Sequence, residues 1–389
     1  MASTITSSST PTKPNSTSTT TDLPKTMRAW TYTTCPTTLE SALTLTSTAP
    51  LPPLPLAPGT YLIRVHSASL NPVDYKLPEL PLVGRLAIPK PATPGLDFSG
   101  TIVLSTPSSR LQPGTLVFGK LEPKQQFGTL AEYVVGSSEG TVEVPEGMGM
   151  EEASALGVCG LVTYQALRAN VREGMRVLVN GGSGGTGTFA VQIAKALGAE
   201  VVVTCSGEFF GGYGLRRGKG SRVETGRTSM LTTKTGANAQ LCRDLGADQV
   251  IDYRTSNVTS VLEKGERKID FILDNVGEPA ELYWQAPSFT NSSAKYIQVG
   301  SQVSLGFIYD LAFRFLVPTW LGGGQRPFSF AFASTSYEDY MGLRGLVGEG
   351  KVRAVVDEVF AFEGVREAYA KLRGGRARGK IVVRVAEKS

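Results

Sequence analysis

At 389 residues, 41% hydrophobic and 19% charged, the chain has the composition of an ordinary globular protein and the length of about two domains of ~150–200 residues. Its single histidine, His66, excludes a His-rich metal site, and the scattered Cys35, Cys159, Cys205 and Cys242 exclude a zinc ribbon, a thioredoxin-type motif and a disulfide scaffold, which suits a reducing compartment. The net charge of +5 is concentrated in residues 207–236 and 366–389, a pattern that fits a small anionic ligand and argues against nucleic acid as a partner.

The first 26 residues are Ser/Thr-rich, carry Lys13 and Lys25 as their only Lys or Arg residues and lack an apolar core, so they read as a disordered tail and not as a signal peptide; a cytosolic location, rather than a mitochondrial one, is expected. From 27 to 150 the pattern is β-rich. Short runs at 61–65, 100–104 and 129–135 lie between Pro- and Gly-rich loops, which are expected at 49–58 and 78–94. Such strands with irregular connections suggest a partly open barrel.

Beyond 150 strands alternate with helices. A helical pattern covers 150–170, followed by a strand at 176–180, a glycine cluster, a helix at 188–197 and a strand at 201–205. A helix at 237–245 and strands at 249–253, 269–275 and 295–299 come next, and this alternation implies βαβ units and a parallel sheet. The run 307–321 contains Asp310, Arg314 and Pro318 and reads as an interfacial or core helix, so no transmembrane span is expected. A helix at 364–372 and a strand at 380–385 close the chain. Residues 207–236 are far longer than the usual ~2–6-residue βα connection and read as an insertion, either a lid or an artefact of the gene's reading.

The cluster Gly182-Ser183-Gly184-Gly185-Thr186-Gly187 satisfies GxGxxG between a predicted strand and a predicted helix. The first glycine permits the tight turn, the second a close approach to a pyrophosphate, and the third close helix–strand packing, with the phosphates on the helix N-terminus. The second strand ends Thr204-Cys205-Ser206 with no acid to hold a ribose 2′-hydroxyl, which points to NADPH over NADH. Arg243 and Tyr253 are candidates to complete that pocket, while Glu208 stands close enough in sequence to fold back as the missing acid.

Seven segments now fall into a known order. They are 70–76 (Leu-Asn-Pro-Val-Asp-Tyr-Lys), 94–100 (Pro-Gly-Leu-Asp-Phe-Ser-Gly), 160–167, 177–187, 245–253, 274–277 (Asp-Asn-Val-Gly) and 379–383. Together they resemble the medium-chain dehydrogenase/reductase superfamily, in its zinc-independent quinone oxidoreductase-like branch, nearest to the reticulon-interacting and chloroplast-envelope homologues. The resemblance runs from about residue 27 to the end, apart from 207–236. It implies an α/β protein with a GroES-like catalytic domain (27–154 and 334–389) around a Rossmann domain (155–333), the terminal strand returning to the first domain.

Zinc alcohol dehydrogenases of the superfamily carry Cys where this chain has Asn71 and His where it has Leu96, and the structural-zinc lobe is missing, so no zinc is expected. Reduction of a quinone, or of a C=C conjugated to a carbonyl, then suits the site better than alcohol oxidation, because the developing oxyanion needs only hydrogen-bond donors and a proton. The resemblance offers Asn71, Tyr75, Lys76 and Thr163 as catalytic candidates. Asn71 is equally a turn residue, Asp74 an acid or a local cap, and Tyr75 and Lys76 packing and surface groups. His66 reads as a wall histidine.

Asn275 and Val276, and then Val299 and Gly300, end successive Rossmann strands and should border the nicotinamide, while Arg376 or Arg378 is expected at the 2′-phosphate. Two rival functions stand beside the quinone/enone reductase. One is an enoyl-thioester reductase of lipid or polyketide synthesis, with a tunnel along 307–320 and 328–332. The other is a non-catalytic NADPH-binding protein whose support is the basic insertion. The strand 328–332 is a candidate sheet edge for a homodimer.

Overall fold

A computed structural model describes residues 23–80, 83–207, 236–277, 280–300 and 305–386. Most of the Ser/Thr-rich tail, and the insertion apart from Gly207 and Gly236, lie outside the described residues, as does Glu208.

The chain opens with an antiparallel pair, β1 (Thr26–Thr31) and β2 (Thr44–Pro50). It continues through β3 (Thr60–Ser69), β4 (Asp97–Ser105), β5 (Leu116–Lys120), β6 (Tyr133–Ser137) and β7 (Thr141–Glu143). Six strands then alternate with helices: β8 (Arg176–Asn180), β9 (Glu200–Cys205), β10 (Gln249–Asp252), β11 (Ile269–Asp274), β12 (Thr290–Gln298) and β13 (Phe328–Phe330). The last two strands are β14 (Val356–Ala361) and β15 (Lys380–Arg384).

Strands β8–β13 form one parallel sheet in the order β10-β9-β8-β11-β12-β13. That is the doubly wound order, with the direction of winding reversing between β8 and β11, where a crevice opens at the carboxyl ends of the strands. Val177–Val179 and Val201–Val203 are fully buried because such a sheet is covered on both faces. The second sheet runs β14-β15-β3-β4-β5-β7, with β6 also on β3. Here β15 pairs antiparallel with β3, setting Val382 opposite Ser69, so the end of the chain does return to its beginning.

Four local expectations are corrected. The loop expected at 78–94 begins later, because a helix spans Pro72–Glu79, with Pro72 in its first turn where a missing N–H costs nothing; a π-helical turn follows at Val83–Ala87. The single helix expected at 150–170 is two, Met150–Ser154 and Val158–Asn170. The break falls at Gly157, where a Cβ would lie 2.3 Å from Asp97 Oδ1. Asp97 takes that space and accepts the Val158 N–H at 2.7 Å, capping the second helix from another element. The strand expected at 129–135 is regular only from Tyr133, because Thr129–Glu132 turns onto β1 through the Ala29–Ala131 bridge. The run 307–321 is a helix only over Leu305–Leu316 and lies at the surface, where Tyr309, Phe315 and Leu316 are exposed.

Candidate active site

A cleft of about 770 Å³ lies at the reversal point of the parallel sheet. The glycine loop, the end of β9, the loop after β11, the start of the Pro72–Glu79 helix and residues 375–381 all line it.

Thr204 shapes the glycine loop, its hydroxyl accepting the Gly181 N–H at 3.0 Å and donating to Asn180 Oδ1, while its carbonyl accepts the Gly182 N–H at 2.9 Å. The glycines then divide as the motif requires. A Cβ on Gly182 would stand 2.1 Å from Val203 Cγ1, and one on Gly187 2.1 Å from the Gly181 carbonyl. On Gly184 the nearest such atom is 3.8 Å away, an ordinary contact, and the residue lines the cleft, where a ligand can reach its backbone. The helix Gly185–Ala196 opens there with its N-terminus on the cleft.

Across the crevice Asp274 accepts the Val276 and Gly277 N–H groups, both at 2.9 Å, and the Asn180 side chain at 2.7 Å. This holds Asn275 and Val276 on the cleft wall, where Asn275 Oδ1 is buried without a protein partner, a spare acceptor suited to a carboxamide. A glycine cradle at a helix N-terminus and a spare buried acceptor beside the reversal point fit a nicotinamide dinucleotide.

At the other end of the cleft Cys205, Ser206 and Tyr253 are on the wall. Asn238 donates to Ser206 Oγ at 3.0 Å and accepts from Arg378 Nε at 2.8 Å, tying the arginine to the end of β9. Arg243 and Arg376 are exposed and outside the cleft lining, and Val299 and Gly300, half-buried, are not part of the lining either.

The floor holds a buried polar cluster of which only Asn71 was a candidate from the sequence. Lys380 Nζ reaches Asn71 Oδ1 at 2.5 Å, the Leu70 carbonyl at 3.1 Å, Asp97 Oδ2 at 3.3 Å and Cys159 Sγ at 3.4 Å. Asn71 Nδ2 donates to Asp97 Oδ2 at 2.8 Å, so both ends of this amide are engaged. Burial pushes the Asp97 carboxyl upward, against the pull of Lys380, Asn71 and the Val158 N–H. Lys380 resists its own desolvation because Cys159, Asp97 and Asp74 favour the ammonium. Asp97 and Lys380 sit inside 94–100 and 379–383, two of the segments that carry the resemblance, and that membership was the available signal.

The other catalytic candidates are placed as follows. Thr163 is fully buried, its hydroxyl donating to the Cys159 carbonyl of its own helix at 2.7 Å, outside the cleft lining. Tyr75 lies under Arg373, with the guanidinium 4.2 Å from its ring centre. Lys76 is half-buried on the same helix. Asp74 caps that helix, accepting the Asn71 N–H at 2.7 Å. His66 is half-buried, 3.0 Å from Thr101 Oγ1, and burial lowers its proton affinity.

With the geometry in place, the comparisons agree with it. Residues 57–146 match the alcohol dehydrogenase GroES-like domain and residues 245–383 match the family described as zinc-binding dehydrogenase. The trans-enoyl reductase pgmF of Aspergillus terreus is 42% identical over 378 residues, covering 94% of this chain and 98% of that protein. The human mitochondrial NAD(P)H oxidoreductase RTN4IP1 is 30% identical over 361 residues, covering 84% of this chain and 82% of its own. Among solved structures, the quinone oxidoreductase from Coxiella burnetii superposes with a TM-score of 0.71 at 26% identity, covering 92% of this chain and 99% of that one. The chain belongs to the medium-chain dehydrogenase/reductase superfamily, in its quinone oxidoreductase-like branch, and is an oxidoreductase that uses a nicotinamide cofactor.

Among the described residues no group of three or more His, Cys, Asp or Glu side chains is arranged to hold a metal ion, and no helix is long and apolar enough to cross a membrane.

Proposed function

We propose that the protein is an NADPH-dependent, zinc-independent reductase that adds hydride to a C=C bond conjugated to a carbonyl. Within that class we favour an enoyl chain as substrate over a quinone. The observation that carries the choice is the 42% identity, over nearly the whole of both chains, to a trans-enoyl reductase. Bound in the cleft, the nicotinamide supplies the hydride. Gly182–Gly187 and the helix N-terminus behind them would hold the pyrophosphate, and Asn275 and Val276 would border the nicotinamide.

The preference for NADPH rests on Ser206, Asn238 and Arg378. β9 itself ends without an acid, and although Asp252 of neighbouring β10 stands beside Gly207, the Arg378–Asn238–Ser206 chain suits a phosphate better than a ribose hydroxyl. The zinc-independent reading rests on Asn71 and Leu96, which supply neither thiolate nor imidazole. The cytosol remains the proposed location. A homodimer is proposed through β13, which is the edge of its sheet and continues into an exposed Phe332.

The test is nicotinamide oxidation by the purified protein with an enoyl thioester, a free enone, an enal and a benzoquinone, each with NADPH and with NADH. Turnover of the enoyl thioester with NADPH, undiminished by a chelator, is the expected result. Turnover of the quinone alone would move the assignment to a quinone reductase. NADPH binding without turnover of any compound would favour the non-catalytic reading.

A further inference from the structure

Hydride transfer needs its two carbons held about 3–3.5 Å apart, so cofactor and substrate must be kept in register. In this fold the cleft walls that would hold them come from different parts of the chain. The glycine loop follows β8 of the parallel sheet, whereas segment 70–72, which also lines the cleft, follows β3 of the second sheet.

Lys380 touches both walls. It opens β15 directly beside the glycine loop, where Gly379 bridges Gly184 and donates its N–H to the Ser183 carbonyl at 3.0 Å. The Lys380 stem then passes so near Gly185 that a Cβ there would stand 2.9 Å from its Cδ. Beyond the stem the ammonium reaches the other wall, donating to the Leu70 carbonyl at 3.1 Å and to Asn71 Oδ1 at 2.5 Å. A backbone bond, from the Leu70 N–H to the Ile381 carbonyl at 2.9 Å, sets the height of this segment on β15. The ammonium fixes its cleft end, with Asp97 holding the far side of the Asn71 amide.

Among the described residues that line the cleft, Lys380 is the only one with a charged side chain, and that side chain is 2% exposed. A buried ammonium is costly to keep, and an apolar pair of similar volume commonly packs as well as a buried ion pair. An apolar pair cannot fix a carbonyl and an amide by direction, as the N–H donors of one ammonium do.

We propose that Lys380 is a positioning residue for hydride transfer, holding segment 70–72 at a set distance from the glycine loop and hence from the nicotinamide. This rests on the reductase reading above. In the step it serves, hydride leaves C4 of the reduced nicotinamide with its electron pair and bonds to the β-carbon of the substrate. The C=C pair moves toward the carbonyl oxygen, and a solvent proton at the α-carbon completes the product. Lys380 gives no proton in this step; it acts through Asn71 and Leu70.

The test compares Lys380→Met with Asp97→Asn/Lys380→Met. Methionine keeps a stem against Gly185, and the Gly379–Ser183 bond is untouched, so both variants are expected to bind NADPH as the parent does. In each, kcat with an enoyl thioester is expected to fall on the order of 10²-fold. The double variant leaves no charge without its partner and should melt above Lys380→Met. A rate that merely follows stability would recover in it, whereas a rate set by positioning stays low. The second readout is the intrinsic primary isotope effect with NADPH deuterated at the transferable position. It should be nearly independent of temperature in the parent, where the separation is fixed, and temperature-dependent in both variants. Recovery of kcat in the double variant, loss of NADPH binding in step with kcat, or one temperature dependence shared by parent and variants overturns the proposal while the reductase reading stands. A parent that turns over no enoyl, enone, enal or quinone compound overturns both. Should neither variant fold, the parent decides: a steep temperature dependence of its isotope effect contradicts a fixed separation, and a flat one supports it.

Discussion

Lys380 Nζ lies 3.3 Å from Asp97 Oδ2, an ion pair whose partners are 283 residues apart and 2% and 0% exposed in their side chains. It joins the start of β4 to the terminal strand β15, and through the Val158 N–H that Asp97 accepts it reaches the helix Val158–Asn170, which leads into the parallel sheet. Removing one partner leaves the other charge buried. Lys380→Met is therefore expected to cost about 3–5 kcal/mol, read as a lower denaturant midpoint, with Asp97→Asn/Lys380→Met losing less than the two single effects summed. Additive losses would show that the two groups are independent.

Glycine substitutions separate packing from binding. Gly182→Ala and Gly187→Ala must displace Val203 and the Gly181 carbonyl and should each cost about 1–3 kcal/mol of stability. Gly184→Ala meets nothing closer than 3.8 Å and should melt with the parent, yet bind NADPH more weakly. Thermal melting and a fluorescence titration with NADPH read the two effects on the same samples.

Arg378→Ala should weaken NADPH binding by about tenfold or more, the size of a lost charge-assisted hydrogen bond, and leave NADH binding nearly unchanged. Arg376→Ala should leave both unchanged, since Arg376 has no place in the Asn238–Ser206 chain that holds Arg378. Equal losses for both cofactors on Arg378→Ala would remove the 2′-phosphate assignment.

The burial of Asp74 beside Asp97, which pushes its carboxyl upward, makes a stability prediction. Its folded pKa, about 8, lies above the ordinary value of 3.8, so between those pH values the folded state holds a proton that the unfolded chain has released. This contribution is complete below pH 4 and is lost as pH rises toward 8, with a slope of at most ~1.4 kcal/mol per pH unit. Asp74→Asn should flatten that part of the curve, as followed by denaturant midpoints across the range.

The sequence made the glycine loop readable because glycine alone tolerates the contacts seen at Gly182 and Gly187, so spacing and chemistry coincide. It made the doubly wound sheet readable because buried parallel strands are continuous apolar runs. Asp97, Cys159 and Lys380 were not assigned a role, since each looks ordinary in its own segment and they meet only when three distant parts of the chain are brought together. The helix break at Gly157 escaped for the same reason: it depends on a carboxylate sixty residues earlier, and periodicity is local. For the proposed 2′-phosphate site the sequence offered Arg376 and Arg378 alike, and only the hydrogen bond from Arg378 to Asn238, which no local pattern reveals, favours one of them.

The central claim is that this cleft delivers hydride from NADPH to a conjugated C=C bond. The most direct measurement supplies NADPH deuterated at the transferable position, together with an enoyl thioester and a chelator, and locates the label in the product by mass spectrometry and NMR. One deuterium on the β-carbon, with the proton at the α-carbon drawn from solvent, is the predicted result. Label on a carbonyl carbon reduced to an alcohol, or product formation that stops when the chelator is added, would contradict it.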